Sequence, residues 1–283
     1  MKKIRLLVVT YACFKLASGC TLNPFGGDDV SSGKRSIKGE VVLSDQRDSR
    51  NNIYVWLEGF NIGDKTDDKG EFRITLPPSG SQGSTGGADG LFRLFFYVAN
   101  YHLSNSELLV QDGEFVYAKG EINKDGELFP DKFLSKMLVI ETEVIPAVIN
   151  RNSNSIIQIN VKLRALEDSV SVVFPNSIGG LLGAAFLRNI ATEQVFIIDG
   201  PPTDTRDVQI ITRAESSRSL LFDLIINPLP VGRYEVIPYL LVEGKAIPAE
   251  LILSLGTNVT GLNQGYLNIP FKRNAAILEV TNQ

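Results

Sequence analysis

Ile157-Gln158-Ile159-Asn160-Val161-Lys162-Leu163-Arg164 sets apolar and polar side chains in strict alternation over eight residues. Successive side chains of a strand point to opposite sheet faces. Ile157, Ile159, Val161 and Leu163 therefore share one face, and Gln158, Asn160, Lys162 and Arg164 the other. A helix would scatter the same four apolar residues around its axis, so the run reads as a strand buried on one side. The same two-residue period recurs on the N-terminal side. Ile53, Val55 and Leu57 alternate with Tyr54, Trp56 and Glu58, and Phe72, Ile74 and Leu76 alternate with Arg73 and Thr75. Turn formers separate these runs: Asp68-Lys69-Gly70, Pro78-Ser79-Gly80, Asp112-Gly113, Asp125-Gly126 and 152–155. The one helix candidate is Ile178 to Arg188, whose glycines weigh against it. Ser79 to Gly90 (SGSQGSTGGADG) is too rich in glycine and serine for regular structure and reads as a mobile hairpin tip. The class predicted is all-β, with short strands at sandwich spacing.

Composition limits the chemistry. The chain has 283 residues, 43% hydrophobic and 21% charged, which suits a packed body rather than a disordered one. It has one histidine, His102, and two cysteines, Cys13 and Cys20. A zinc site of two histidines and a glutamate is excluded, and a serine triad would have to use His102 with no nucleophile-elbow motif to partner it. No catalytic residue, metal or cofactor is assigned. Four of the 28 basic residues (Lys2, Lys3, Arg5, Lys15) and none of the 32 acidic ones lie in the first 19. Removal of that segment would deepen the net charge from −4 to −8. An acidic body of this kind does not suit nucleic acid or anionic lipid.

The N-terminus suggests such a removal. Met1 to Arg5 is basic, Ile4 to Ala12 is mostly apolar, and Leu16-Ala17-Ser18-Gly19-Cys20 follows. The apolar run is shorter than the ~20 residues a membrane span needs and fits a secretory leader. Small residues followed by cysteine resemble the lipobox of bacterial lipoproteins, although Lys15 and Ala17 depart from its usual pattern. The resemblance implies a signal peptide over 1–19, cleaved before Cys20, and a diacylglyceryl group on the Cys20 thiol, with palmitate among two or three acyl chains. It also implies attachment to the bacterial envelope, with Thr21 favouring the outer membrane. Residues 20–35, rich in Gly, Ser and Asp, would form a flexible tether.

Gly39-Glu40-Val41, Val55-Trp56-Leu57-Glu58-Gly59, Thr66 to Phe72 and Leu76-Pro77 form a recognisable series. It resembles the carboxypeptidase regulatory-like domain, a transthyretin-like β-sandwich. Physical roles can be given to its residues. Gly70 supplies a positive φ, Asp67 or Asp68 bonds the turn, and Phe72 plugs the core. The domain is placed at 36–166. Beyond it, Ser169–Phe174, Gln194–Ile198, Val208–Thr212, Leu220–Ile226, Tyr234–Leu241, Leu251–Leu255 and Ala275–Val280 supply strands for a second sandwich at 167–283. Leu229 to Tyr234 resembles the turn into a late strand of immunoglobulin-like sandwiches, where a tyrosine anchors a corner.

Three sets of side chains are candidates for binding. Tyr54 and Trp56 point away from Val55 and Leu57, to stack on a sugar, to pack on a neighbouring domain or to pack under a loop. Asp64, Asp67 and Asp68, and Asn123, Asp125 and Glu127, are small oxygen-rich groups without EF-hand spacing, which turn chemistry explains. The expected function is a lipid-anchored, non-catalytic envelope module. Its membrane contact is through Cys20 and its partner is an envelope protein or glycan. The alternatives are a carbohydrate-binding surface lipoprotein and an envelope enzyme of unfamiliar type.

Overall fold

The computed structural model describes residues 34–83, 87–200, 205–244 and 246–282. The leader, Cys20 and the 20–33 part of the expected tether lie outside them.

The first sandwich has a small and a larger sheet. The small one has the order β4-β1-β8, from β1 (Ser36–Leu43), β4 (Glu71–Thr75) and β8 (Lys132–Leu134); β8 runs parallel to β1. The larger is antiparallel, β3-β2-β5-β6-β7, from β2 (Tyr54–Leu57), β3 (Ile62–Lys65), β5 (Gly90–Tyr97), β6 (Ser104–Gln111) and β7 (Glu114–Phe115). Ile37, Val41, Val55, Leu57, Phe72, Ile74, Leu94 and Phe96 fill the space between them. The expected turn roles are visible here. Gly70 has φ +89°, and a Cβ on it would sit 2.5 Å from the Val41 carbonyl oxygen. Asp67 Oδ1 accepts from the backbone N–H of Lys69 and of Glu71, each at 2.9 Å. Phe72 is buried edge-on to Phe96, with centroids 5.5 Å apart.

The second sandwich begins earlier than the sequence suggested. β9 (Leu138–Ile145), β10 (Val148–Asn150) and β11 (Ile157–Ala165) fall inside the expected first domain, yet all three join the second body. The core of the second sandwich therefore begins at Leu138, inside the span expected for the first domain. One side of this sandwich is β10-β19-β17-β13-β14, from β13 (Ala184–Asn189), β14 (Val195–Asp199), β17 (Gly232–Pro238) and β19 (Ala276–Thr281). Two three-stranded sheets face it, β16-β11-β9 and β15-β12-β18. They use β12 (Val170–Pro175), β15 (Arg206–Ile211), β16 (Ser216–Phe222) and β18 (Leu241–Val242). In β11, Ile157, Ile159, Val161 and Leu163 are all buried while their alternates are not, as the opening octet requires. Tyr234 closes the predicted corner, its hydroxyl donating to the Pro230 carbonyl at 2.6 Å.

One local ambiguity is resolved and one local expectation fails. Residues 178–188 form a turn and then β13, not a helix, because Ala184, Ala185, Phe186 and Leu187 are buried on both sheet faces. Leu251–Leu255 is not a strand: α1 (Ala249–Ser254) occupies it, entered from Pro248. The 79–90 tip is also more ordered than expected where it is described. The Gln82 amide donates to the carbonyls of Pro77 (2.7 Å) and Gly113 (2.9 Å) and accepts from Ala88 N–H, tying the segment to the Asp112-Gly113 turn.

A third core joins the sandwiches. Its walls are the outer faces of β2 and β5 and of β13 and β17, and α1 with the following 255–271 segment fills the gap. Tyr266 lies at its centre, stacked on Phe186 (5.1 Å, 10° between planes) and edge-on to Tyr239. Burial pushes the Tyr266 hydroxyl up to about 12, and it donates to the Leu240 carbonyl at 2.8 Å. This core explains why β2 and β5 are apolar on both faces: Val55, Leu57, Leu94 and Phe96 turn inward, while Tyr54, Trp56, Phe95 and Tyr97 turn toward the second sandwich.

Candidate functional site

The third core decides the position of Tyr54 and Trp56. Trp56 is 1% exposed, its ring is 5.8 Å from Phe95, and its Nε1–H donates to Asn61 Oδ1 at 3.1 Å. Tyr54 is buried, its hydroxyl is hydrogen-bonded to Ser254 Oγ at 2.9 Å, and Gly63 on β3 makes room for it. Neither ring lies open as a platform for a sugar.

The buried ionisable groups hold structure together. Lys136 Nζ lies 3.0 Å from Asp45 and 2.7 Å from Asp48, and Tyr101 donates to the same Asp48 oxygen at 2.5 Å. Arg47, then Lys136, holds the Asp45 carboxyl well below the usual carboxylate range. Burial, then Asp48, pushes the Tyr101 hydroxyl up. In the second sandwich, Arg218 stacks 3.9 Å over Phe174 and bonds Asp207, Gln209, Ser177 and the Leu181 carbonyl. His102 is more than half exposed, 3.8 Å from Glu167. Among the described residues, no three His, Cys, Asp or Glu side chains form a metal-sized group, and no helix is long and apolar enough to cross a membrane.

The outer face of the β4-β1-β8 sheet is open. A groove of about 580 Å³ lies there, lined by Lys38, Glu40, Asp64, Arg73, Glu127 and Phe129 among others. Alternation on β1 and β4 turns Lys38, Glu40 and Arg73 outward while Ile37, Val41 and Ile74 plug the core. The structure brings the two oxygen-rich turns together: Asp67 of one and Asn123 and Glu127 of the other line this groove. Several of their oxygens are already engaged. Asn123 Oδ1 accepts from Asp125 N–H (2.8 Å) and Glu127 N–H (2.9 Å), and Glu127 pairs with Lys38 at 2.9 Å. Lys38, then Asn123, lowers the Glu127 carboxyl, and Glu127 in turn raises Lys38. The turns shape the groove.

Two aromatic side chains stand out on this side of the sandwich. Phe129, at the groove, is 70% exposed, and Phe133 on β8, beside Val42, is 58% exposed. Sequence reasoning passed over both. The signal for Phe133 was its place between Lys132 and Leu134, where a two-residue period turns it outward once its neighbours are buried.

No family model and no curated protein matches the chain. Among solved structures, two crystal structures of BcpA, the major pilin subunit of Bacillus cereus, are similar at 10% identity. A variant form gives a TM-score of 0.26, covering 73% of this chain and 68% of that one. The other gives 0.25, covering 71% and 63%. Likeness this slight carries no inference about the chain.

Proposed function

We propose that the chain is a lipid-anchored, non-catalytic protein of the bacterial cell envelope, attached through Cys20 and working as a binding or assembly module. The observation that carries the binding role is the groove on the first sandwich. It is the place in the described body where exposed aromatic surface and unburied charges of both signs meet in a concavity. Lys38 and Arg73 bring donors to the groove, Glu40 and Asp64 bring acceptors, and Phe129 offers a flat apolar surface. Such a mixture suits a polar polymer, either an extended peptide segment of an envelope protein or a glycan. The anchor rests on the leader and the small residues before Cys20. The transthyretin-like assignment of the first sandwich rests on the Gly70, Asp67 and Phe72 roles.

The experiment is capture from the native envelope by the lipidated chain, wild type against Phe129→Ala. An aromatic anchor at the centre of a small site contributes about 1–2 kcal/mol, so the variant should retain on the order of tenfold less of the same partner. A purified chain that captures nothing but hydrolyses a peptide or glycan overturns the proposal.

A further inference from the structure

Lys272 and Asn51 meet where the first sandwich touches the segment leading into β19. Asn51 lies in the turn between β1 and β2, and Lys272 follows the third-core segment. Lys272 is 7% exposed. Its Nζ donates to the Asn51 carbonyl at 2.5 Å and lies 3.5 Å from the side-chain oxygen Asn51 Oδ1. Among the described residues, no carboxylate is within ion-pair distance of it.

Both partners are held in place. Fully buried Asn100 grips the Lys272 backbone from both sides, accepting from its N–H at 3.0 Å and donating to its carbonyl at 2.7 Å. The same amide donates to Leu138 O at 3.0 Å, so the clamp is fixed to the start of β9. On the other side, Asn51 Nδ2 donates to Asp68 Oδ1 at 3.0 Å, which orients the carboxamide. The amine thus lies beside a carboxamide whose nitrogen is held by a carboxylate, which brings the two partners of a transamidation side by side.

We propose that Lys272 and Asn51 form an intramolecular isopeptide bond that ties the first sandwich covalently to the segment entering β19. The Nζ lone pair attacks Asn51 Cγ, the Nζ–Cγ amide bond forms and the Cγ–Nδ2 bond breaks. The amine sheds a proton, the departing nitrogen takes one up, and one ammonia leaves. Nothing is oxidised or reduced, and no co-reactant is consumed. Asp68 lies against the departing nitrogen and steadies the positive charge that gathers there. Burial lowers Lys272 to about 8, against the pull of Asp48, so a useful share of the amine is neutral near physiological pH. The bond would close a chain loop of 221 residues across the junction.

The test is mass spectrometry of the purified full chain, before and after incubation at mildly alkaline pH. The proposal predicts an intact mass one ammonia below that of the unlinked chain. A proteolytic digest should contain a branched peptide joining the segments around Asn51 and Lys272. Lys272→Arg and Asn51→Ala should each restore the unlinked mass. Asp68→Ala should slow the loss on the order of a hundredfold, and an unchanged rate would overturn Asp68's part. An unchanged wild-type mass with no branched peptide overturns the proposal without need of any variant. So does an ammonia loss that survives in Lys272→Arg, which would instead mark succinimide formation at Asn51.

Discussion

Trp56→Ala tests the third core directly, because Trp56 is the only tryptophan and is 1% exposed. Truncation removes the ring that meets Phe95 at 5.8 Å and the hydrogen bond to Asn61. A buried Trp→Ala change costs about 3–5 kcal/mol through lost transfer energy and the cavity left behind. Losing the Asn61 bond adds little, since the partner amide reaches solvent. At roughly 2–4 °C per kcal/mol for a body of this size, the melting point should fall by about 6–20 °C. Trp56→Phe, which keeps a ring against Phe95, should lose less than half as much. The assay is guanidinium unfolding followed by circular dichroism. In the wild type, tryptophan fluorescence serves as a second probe, emitting to the blue and resisting acrylamide until unfolding. A loss below about 1 kcal/mol, or emission already solvent-like in the native protein, would refute the reasoning. It would also reopen Trp56 as a surface for ligands.

Further outcomes can be read in the same unfolding assay. Arg218→Met leaves Ser177, Gln209 and Asp207 without their shared donor. It should cost about 2–4 kcal/mol, discounted from a fully buried pair because Asp207 is 36% exposed; a neutral result would mean the network is ornamental. Tyr234→Phe should cost about 0.5–1.5 kcal/mol by freeing the Pro230 carbonyl, and no change would remove the corner's role. Asp45 is held below its ordinary value of 3.8 in the folded state, by Arg47 first and Lys136 second. Its stabilising effect is therefore complete above about pH 4 and drains away as the pH falls below that. Asp45→Asn should be less stable than wild type at pH 6, with the gap closing toward pH 2; a gap constant with pH would contradict the assignment.

The sheets were largely legible in the sequence where one face is core and the other is not. Residues 157–164 and Phe72-Arg73-Ile74 keep a clean two-residue period, and β11 and β4 follow it residue for residue. Legibility fails where both faces are covered. Tyr54 and Trp56 read as a second face, open either to a ligand or to packing, because the sequence does not say which elements cover it; β13, β17 and α1 do. Ala184 to Leu187 stayed ambiguous for the same reason: four consecutive buried residues carry no period. The start of the second core was hidden differently. β9 belongs with β11, but Leu134-Ser135-Lys136-Met137 carries no glycine, proline or shift of composition to mark the crossing. Pairing partners are set by register across space, as in Val161 between Thr142 and Arg218. The groove was half legible. Its two oxygen-rich turns were visible as turns, but their meeting depends on β4 and β8 flanking β1.

The central claim, a module held to the envelope by lipid, is tested most directly by metabolic labelling with a radioactive or alkyne-bearing fatty acid. The account predicts label on the wild-type chain and none on Cys20→Ala, which should leave the membrane fraction while keeping a folded body. Label retained on Cys20→Ala, or none on the wild type, would contradict it.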